Sequence, residues 1–324
     1  MRRASRFILF PVLFLLTLWA IAALAIDTPL GEPFRTALAI LYALAAFFCV
    51  LRLRPARRAS LALLLGFLIV LAAWLSLAPS NSRDWLEDVS QPPSGSLVGD
   101  VLTLHNVRNF SYHGTDTSFT PVWETRQYAL DKLTGVELFV SNWGPTLYAH
   151  TILSWQFADA PPLAVSIETR KEKGESYSAV LGFFRQYELY FVAADERDVI
   201  GVRTNFRGEH VRRYRLRANP AEARALLMAY VADMNRLAEQ PRWYNALTSN
   251  CTTVIFRLVH TLRPTISPWH WQVLANGYLD KWLYEHQFID SDKSFEQLRE
   301  TNDVTERAKA ARDAADFSRR IREG

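Results

Sequence analysis

The sequence predicts an α+β domain outside the cytoplasm, built on an antiparallel sheet and held by three N-terminal transmembrane helices. Three observations carry this. The first 78 of 324 residues contain three long apolar runs. From Val98 to about residue 216 the chain breaks into short alternating runs separated by turn residues, which is how strands are spaced. After Asn219 the apolar spacing lengthens to three and four residues, as on one face of a helix.

The apolar runs come first. Residues 7–26 are uncharged throughout and match the ~20 residues a helix needs to cross a bilayer. Residues 34–51 form a second run, interrupted only by Arg35, which can snorkel from near its start. Residues 61–78 form a third. Arg2 and Arg3 resemble the n-region of a signal peptide, but two more apolar runs follow at once and no small-residue cleavage site precedes Asp27. Residues 1–78 therefore read as an anchor. Arg2, Arg3 and Arg6 precede the first span, and Arg52, Arg54, Arg57 and Arg58 separate the second from the third, whereas residues 27–33 are acidic. The positive-inside rule puts the N-terminus and the second loop in the cytoplasm and everything after Pro79 outside.

Eight arginines in the first 78 residues face only Asp27 and Glu32, so the net charge of +4 gathers at the ends of apolar runs. The rest of the chain is net negative. This excludes a basic nucleic-acid-binding domain, and no nucleic-acid partner is expected. An aromatic content of 13% argues against disorder.

Residues 79–97 read as a turn-rich linker with a short helical patch around Trp85. Strands are expected over 101–107, 122–130, 136–140, 148–157, 163–170, 187–194, 199–204 and 211–216. Asn219-Pro220 then opens a helix, with Asn as N-cap and Pro in the first turn. Its buried face is marked by Ala223, Leu227, Tyr230, Val231, Met234 and Leu237. A second helix starts near Ser249-Asn250, buries Val254, Ile255, Leu258, Val259 and Leu262, and stops at Arg263-Pro264. Residues 269–289 are aromatic-rich and fit a third helix near the membrane surface. The domain is expected to end at 290, with 291–324 as a charged C-terminal tail, either a solvated helix or a frayed end.

Only two cysteines are present, Cys49 in the second span and Cys251 in the domain, and they cannot pair across that divide. Cys251 is a lone thiol in an oxidising compartment, which fits either a reactive group or an inert core residue. It falls in the first turn of a helix, where free N–H groups and the macrodipole favour thiolate. A thiolate is the nucleophile acyl transfer uses. The best-placed base is His150, which alternation puts on one strand face with Tyr148, Ile152 and Ser154; a strand histidine is equally a satisfied core residue. On the next strand Ser166 and Glu168 share a face. Glu168 is positioned either to orient His150 or to pair with Arg170 or Lys173. No zinc spacing, P-loop, GxSxG or dinucleotide fingerprint occurs, so neither metal nor cofactor is expected.

The order of a strand histidine, a polar residue on the next strand and then Asn250-Cys251 at a helix start is reversed from papain. It is similar to the permuted papain-like branch that includes lecithin:retinol acyltransferase, although Thr252-Thr253 stands where those enzymes tend to carry Glu-His. A closer likeness lies in longer motifs: PSNSRDW from Pro79, HNVRNF from His105, AHTILS from Ala149, SIETRKEKGE from Ser166, FRQYE from Phe184, ADERD from Ala194, and Tyr244-Asn245 with Asn250-Cys251-Thr252-Thr253. Over roughly 79–265 these resemble a bacterial membrane-protein family related to the N-terminal periplasmic domain of Lnb, a lipoprotein N-acyltransferase.

The resemblance implies a permuted papain-like (NlpC-type) domain over 98–290, in the periplasm of a bacterium and anchored in its inner membrane. It implies an acyl-thioester on Cys251, with His150 moving the proton and Glu168 orienting it. The Cys251 N–H would meet the oxyanion, and Asn250, Thr252 and Tyr148 would support the site. A membrane phospholipid and a lipoprotein are the expected substrates. Arg170, Lys173, Arg185 and Tyr187 would hold a lipid headgroup, or else join Glu172, Glu175 and Glu188 in a surface salt-bridge network. A papain-like cell-wall peptidase or amidase would use the same Cys251 and His150, and a non-catalytic envelope protein is the third reading.

Overall fold

The computed structural model describes residues 4–114, 118–144, 147–273, 275–312 and 314–323. It divides into two compact units, Met1–Ser80 with Ser178–Tyr187, and Asn81–Tyr177 with Glu188–Gly324.

The first unit holds α1 (Ala4–Asp27), α2 (Glu32–Arg52) and α3 (Ala56–Leu75), each with a stretch long and apolar enough to cross a membrane. Many of their large side chains, among them Phe14, Leu15, Phe34, Leu41 and Ile69, point outward, while Ala20, Ala23, Ala39 and Ala59 are buried together with Leu13, Leu63 and Val70. Small residues between helices and large ones outside are what a lipid solvent selects, because close backbone approach replaces the hydrophobic drive available in water. The loop 178–187 belongs to this unit. Phe184 stacks on Trp19, and the Arg185 guanidinium lies 4.3 Å from the Trp74 ring centroid. Asp27 Oδ2 accepts from both Trp74 Nε1 (2.5 Å) and the Arg185 N–H (3.1 Å).

The second unit is α+β. Its strands are β1 (Ser94–Val98), β2 (Val101–Arg108), β3 (Ser111–His113), β4 (Ser118–Thr120), β5 (Trp123–Ala129), β6 (Leu133–Asn142), β7 (Ala149–Phe157), β8 (Leu163–Arg170), β9 (Glu188–Ala194) and β10 (His210–Arg215). The main sheet runs β1-β2-β9-β8-β7-β6-β10, with β5 also on β2, and β3-β4 form a separate ribbon. All pairings are antiparallel except β2 with β9, which is parallel at Arg108↔Ala194. The sheet is therefore mixed, where the sequence led us to expect a purely antiparallel one; distant segments meet at β2/β9, a pairing no local turn signal encodes.

Strand alternation sorts the two faces. Leu138, Leu153 and Trp155 meet α5 (Pro220–Glu239) and α6 (Cys251–Leu262), Trp155 Nε1 donating to Ala223 O at 2.9 Å. The adjacent residues Phe139, Ile152 and Ala164 face the opposite way, into a core with Val192, Val211 and the C-terminal segment. Asn219 closes a capping box with Glu222 at the start of α5, and the six residues marking that helix's apolar face are all buried.

Four segments depart from expectation. Residues 199–204 are not a strand: α4 (Glu196–Val199), capped by Asp195, runs into a π turn over Val202–Phe206. Short apolar runs fit either element, and here Val199, Ile200 and Val202 reach the core from a helical turn. Among the described residues of 269–289 the chain forms 3-10 turns and a short α7 (Leu279–Glu285) in place of one long helix. The supposed tail folds as α8 (Phe295–Thr301), α9 (Thr305–Ala310) and α10 (Phe317–Arg320). Its few apolar residues Val304, Ala308, Ala311, Phe317 and Ile321 all enter the core opposite α5 and α6. At the other end the expected linker is also structured: Trp85 is buried, bridges Glu172, and β1 begins at Ser94.

Candidate active site

Asn250 sets the start of α6. Its Oδ1 accepts from the Thr253 N–H (2.8 Å), and its Nδ2 donates to Ala246 O (2.7 Å) and Val273 O (3.1 Å). One side chain thus caps the helix and ties it to the segments before and after. Cys251 is the first helical residue and is buried. The N–H groups of Cys251 and Thr252 lie in the turn that has no intrahelical acceptors. Thr252 is fully buried, with Oγ1 3.8 Å from the sulfur.

His150 sits near the start of β7 opposite Ser141, and the β7/β8 register carries on to bring it level with Glu168. Its Nε2 lies 2.6 Å from Ser166 Oγ and 3.2 Å from Glu168 Oε1. Ser166 in turn donates to Glu168 Oε1 at 2.6 Å, so the serine hydroxyl accepts from Nε2. His150 and Cys251 line one cavity and interact electrostatically, the imidazolium lowering the thiol pKa. Glu168 also accepts from Arg203 (2.8 Å), which is buried and reaches Glu209 at 3.0 Å; Glu209 accepts from Ser141 Oγ at 2.5 Å. A continuous polar chain runs from the His150 imidazole to the carboxylate of Glu209.

The charges explain the titration of the pair. Burial pushes the Cys251 thiol up, but the facing His150 more than offsets this and holds it at about 6. Burial and the Arg203 charge push His150 down, whereas Glu168 and the Cys251 thiolate raise it, to about 9. Burial disfavours the Glu168 carboxylate, yet His150 and Arg203 keep it well below the usual range. These opposite shifts favour the thiolate–imidazolium pair at neutral pH.

A cavity of about 400 Å³ opens on the pair, lined also by Tyr177, Tyr244, Lys171 and Arg207. Tyr177 and Tyr244 hydrogen-bond to each other, and burial together with the nearby Cys251 charge pushes both phenols up. Tyr244 stood in one of the motifs that carried the resemblance. Arg203, Glu209 and Tyr177 had no local signal. Arg203 lies in the stretch expected as a strand, and only the π turn aims it at Glu168.

Other expected site residues lie elsewhere. Tyr148 precedes β7, so strand alternation does not extend to it; its side chain is 51% exposed and its carbonyl accepts from Asn142. Arg170 is buried, not open to a ligand. Its guanidinium donates to Val89 O, Ser90 O and Asn81 Oδ1 and lies over the rings of Trp85 and Tyr190. Lys173 pairs with Asp84 at 2.7 Å. Tyr187 is buried and its hydroxyl accepts from the Ser178 N–H, while Arg185 donates to the carbonyls of Leu75 and Leu77. Arg170 and Tyr187 are spent on internal contacts, Arg185 on main-chain carbonyls of the anchor unit, and Lys173 on an exposed ion pair. Among the described residues no group of three or more His, Cys, Asp or Glu could hold a metal ion.

Residues 119–277 match the family described as the Lnb N-terminal periplasmic domain. This is the family whose motifs the sequence resembles. The matched segment runs from β4 to just before α7 and includes His150, Glu168, Arg203 and Cys251. No curated protein and no solved structure matches the chain. The chain thus combines three helices long and apolar enough to cross a membrane with a segment, 119–277, similar to the Lnb N-terminal periplasmic domain.

Proposed function

We propose that the protein is a membrane-anchored cysteine acyltransferase with a permuted papain-like site, moving an acyl chain from a phospholipid to the N-terminal amine of a lipoprotein. The observation that carries this reading is the Cys251–His150 pair, charge-separated at neutral pH and backed by Glu168, beside a cavity in a protein that also carries three apolar helices. The Cys251 thiolate attacks the ester carbonyl and a C–S bond forms. The C–O bond to the glycerol breaks, and the alkoxide leaves with the His150 proton. The acceptor amine then attacks the thioester, giving its proton back to His150 as the thiolate departs. Lys171 and Arg207, which line the cavity, take the headgroup role that the internally bonded arginines cannot fill.

Intact mass spectrometry of the detergent-purified protein after incubation with bacterial phospholipid tests the first half. The expected result is a gain of one acyl chain, removed by neutral hydroxylamine and absent in Cys251→Ser. Lack of an adduct on the wild-type protein would reject the acyltransferase in favour of a peptidase or a binding role.

A further inference from the structure

The mechanism needs a donor for the negative oxygen that develops when the thiolate adds to a carbonyl. Main-chain N–H groups at the start of α6 supply one side of that site. The structure holds a second donor that the mechanism above does not use. Asn276, in the turn before α7, directs its Nδ2 to the Cys251 sulfur at 3.9 Å.

Two contacts fix that amide. Asn276 Oδ1 accepts from the Ala149 N–H at 2.7 Å, and the next residue's N–H, Gly277, donates to Leu147 O at 3.1 Å. The segment is therefore pinned to the residues just ahead of His150. Because Oδ1 is taken by a main-chain donor, the amide has one orientation, with its NH2 toward the sulfur. In a tetrahedral adduct the oxygen sits one bond from the carbon that bears the sulfur. A donor beside the sulfur is then within hydrogen-bond reach of that oxygen, which is the geometry an oxyanion site requires.

We infer that Asn276 is a catalytic residue, donating through Nδ2 to the oxyanion formed when Cys251 attacks an acyl carbonyl. This rests on Cys251 being acylated but not on the acyl donor being a phospholipid. As the C–S bond forms, the carbonyl π pair moves to oxygen and is met by Nδ2–H and the α6 N–H groups. When the pair returns, the C–O bond breaks and the leaving oxygen takes the His150 proton. The amide itself is unchanged through the cycle.

Two reagents separate the roles. Iodoacetamide alkylates the thiolate by displacement at a saturated carbon, with no oxyanion, so its rate reports an intact, activated Cys251. p-Nitrophenyl octanoate acylates the same sulfur through an oxyanion, and its nitrophenol burst reports acylation. In the full-length protein in detergent, Asn276→Ala and Asn276→Leu should keep the alkylation rate and its pH profile. The burst rate should fall by about 10²–10³, the typical loss for one oxyanion donor. An unchanged burst in both variants overturns the inference. So does a parallel fall in alkylation and burst, which would make Asn276 a group that positions the thiol. A wild-type protein giving no burst overturns it as well, whereas a burst without a phospholipid adduct rejects only the lipid donor and leaves Asn276 in place.

Discussion

At the residue scale, the site depends on buried charges that balance in sequence along one sheet face. His150 is stabilised as imidazolium by Glu168 and the thiolate, and Arg203 keeps Glu168 ionised while pairing with Glu209. The pH dependence follows. The thiol is depressed to about 6, so the thiolate is present above that value and lost as pH falls through it; the imidazolium, raised to about 9, is lost as pH rises through that value. Iodoacetamide labelling of Cys251, followed by mass spectrometry, should therefore rise through a midpoint at about 6. His150→Ala should move the midpoint upward, toward the ordinary thiol range, and an unmoved midpoint would show that His150 does not activate the sulfur. Cys251 and His150 were legible in the sequence because a helix-start cysteine and a strand histidine each carry a local signal. Glu168 was half legible: its partner His150 was named, but so were Arg170 and Lys173, and only the sheet register decides.

At the scale of elements, the C-terminal segment is the clearest case of structure overruling composition. Few apolar residues among many charges read as a solvated helix or frayed tail, yet Val304, Ala308, Ala311, Phe317 and Ile321 are spent on the core and the Arg322 charge is paired. Arg322 donates to Glu196 (2.6 Å) and Glu137 (2.7 Å), both deeply buried, and Ser154 adds a hydrogen bond to Glu196. Burial works against the Glu196 carboxylate, but Arg322 and Ser154 together hold its pKa below the usual range. Arg322→Met leaves Glu196 charged and buried without a cation, a loss of about 3–5 kcal/mol by the cost of breaking such pairs. The deficit should shrink at acid pH, because the carboxyl can then protonate, whereas the wild type loses its Glu196 contribution as pH falls. Urea unfolding of the two proteins at neutral and acid pH checks both the size and the sign. A loss that does not change with pH would assign the effect to packing.

At the scale of the molecule, the anchor and the domain are each coherent on their own terms. The anchor uses alanines inside and large apolar groups outside; the domain uses a sheet covered on both faces. The arginine distribution predicts a domain outside the cytoplasm, the compartment named in the description of the family that residues 119–277 match. Green fluorescent protein fused ahead of Met1 should fluoresce in a bacterial host, and alkaline phosphatase fused after Ser80 should be active. The opposite pair of results would put Cys251 in the cytoplasm and remove the periplasmic acyltransferase from consideration.

Some features are local, and the sequence alone determines them. An uncharged run of bilayer length, an Asn-Cys at a helix start and a Pro in a first turn act over a few residues, so the spans, α5, α6 and the thiol's setting could be read directly. The environment of that thiol is another matter. Tyr148 fell outside the strand by one residue, Arg170 turned inward, and Arg203, Tyr244 and Asn276 arrived from separate turns. Those placements come from long-range register and from turns that reverse the chain, and no short window of sequence records how such contacts close.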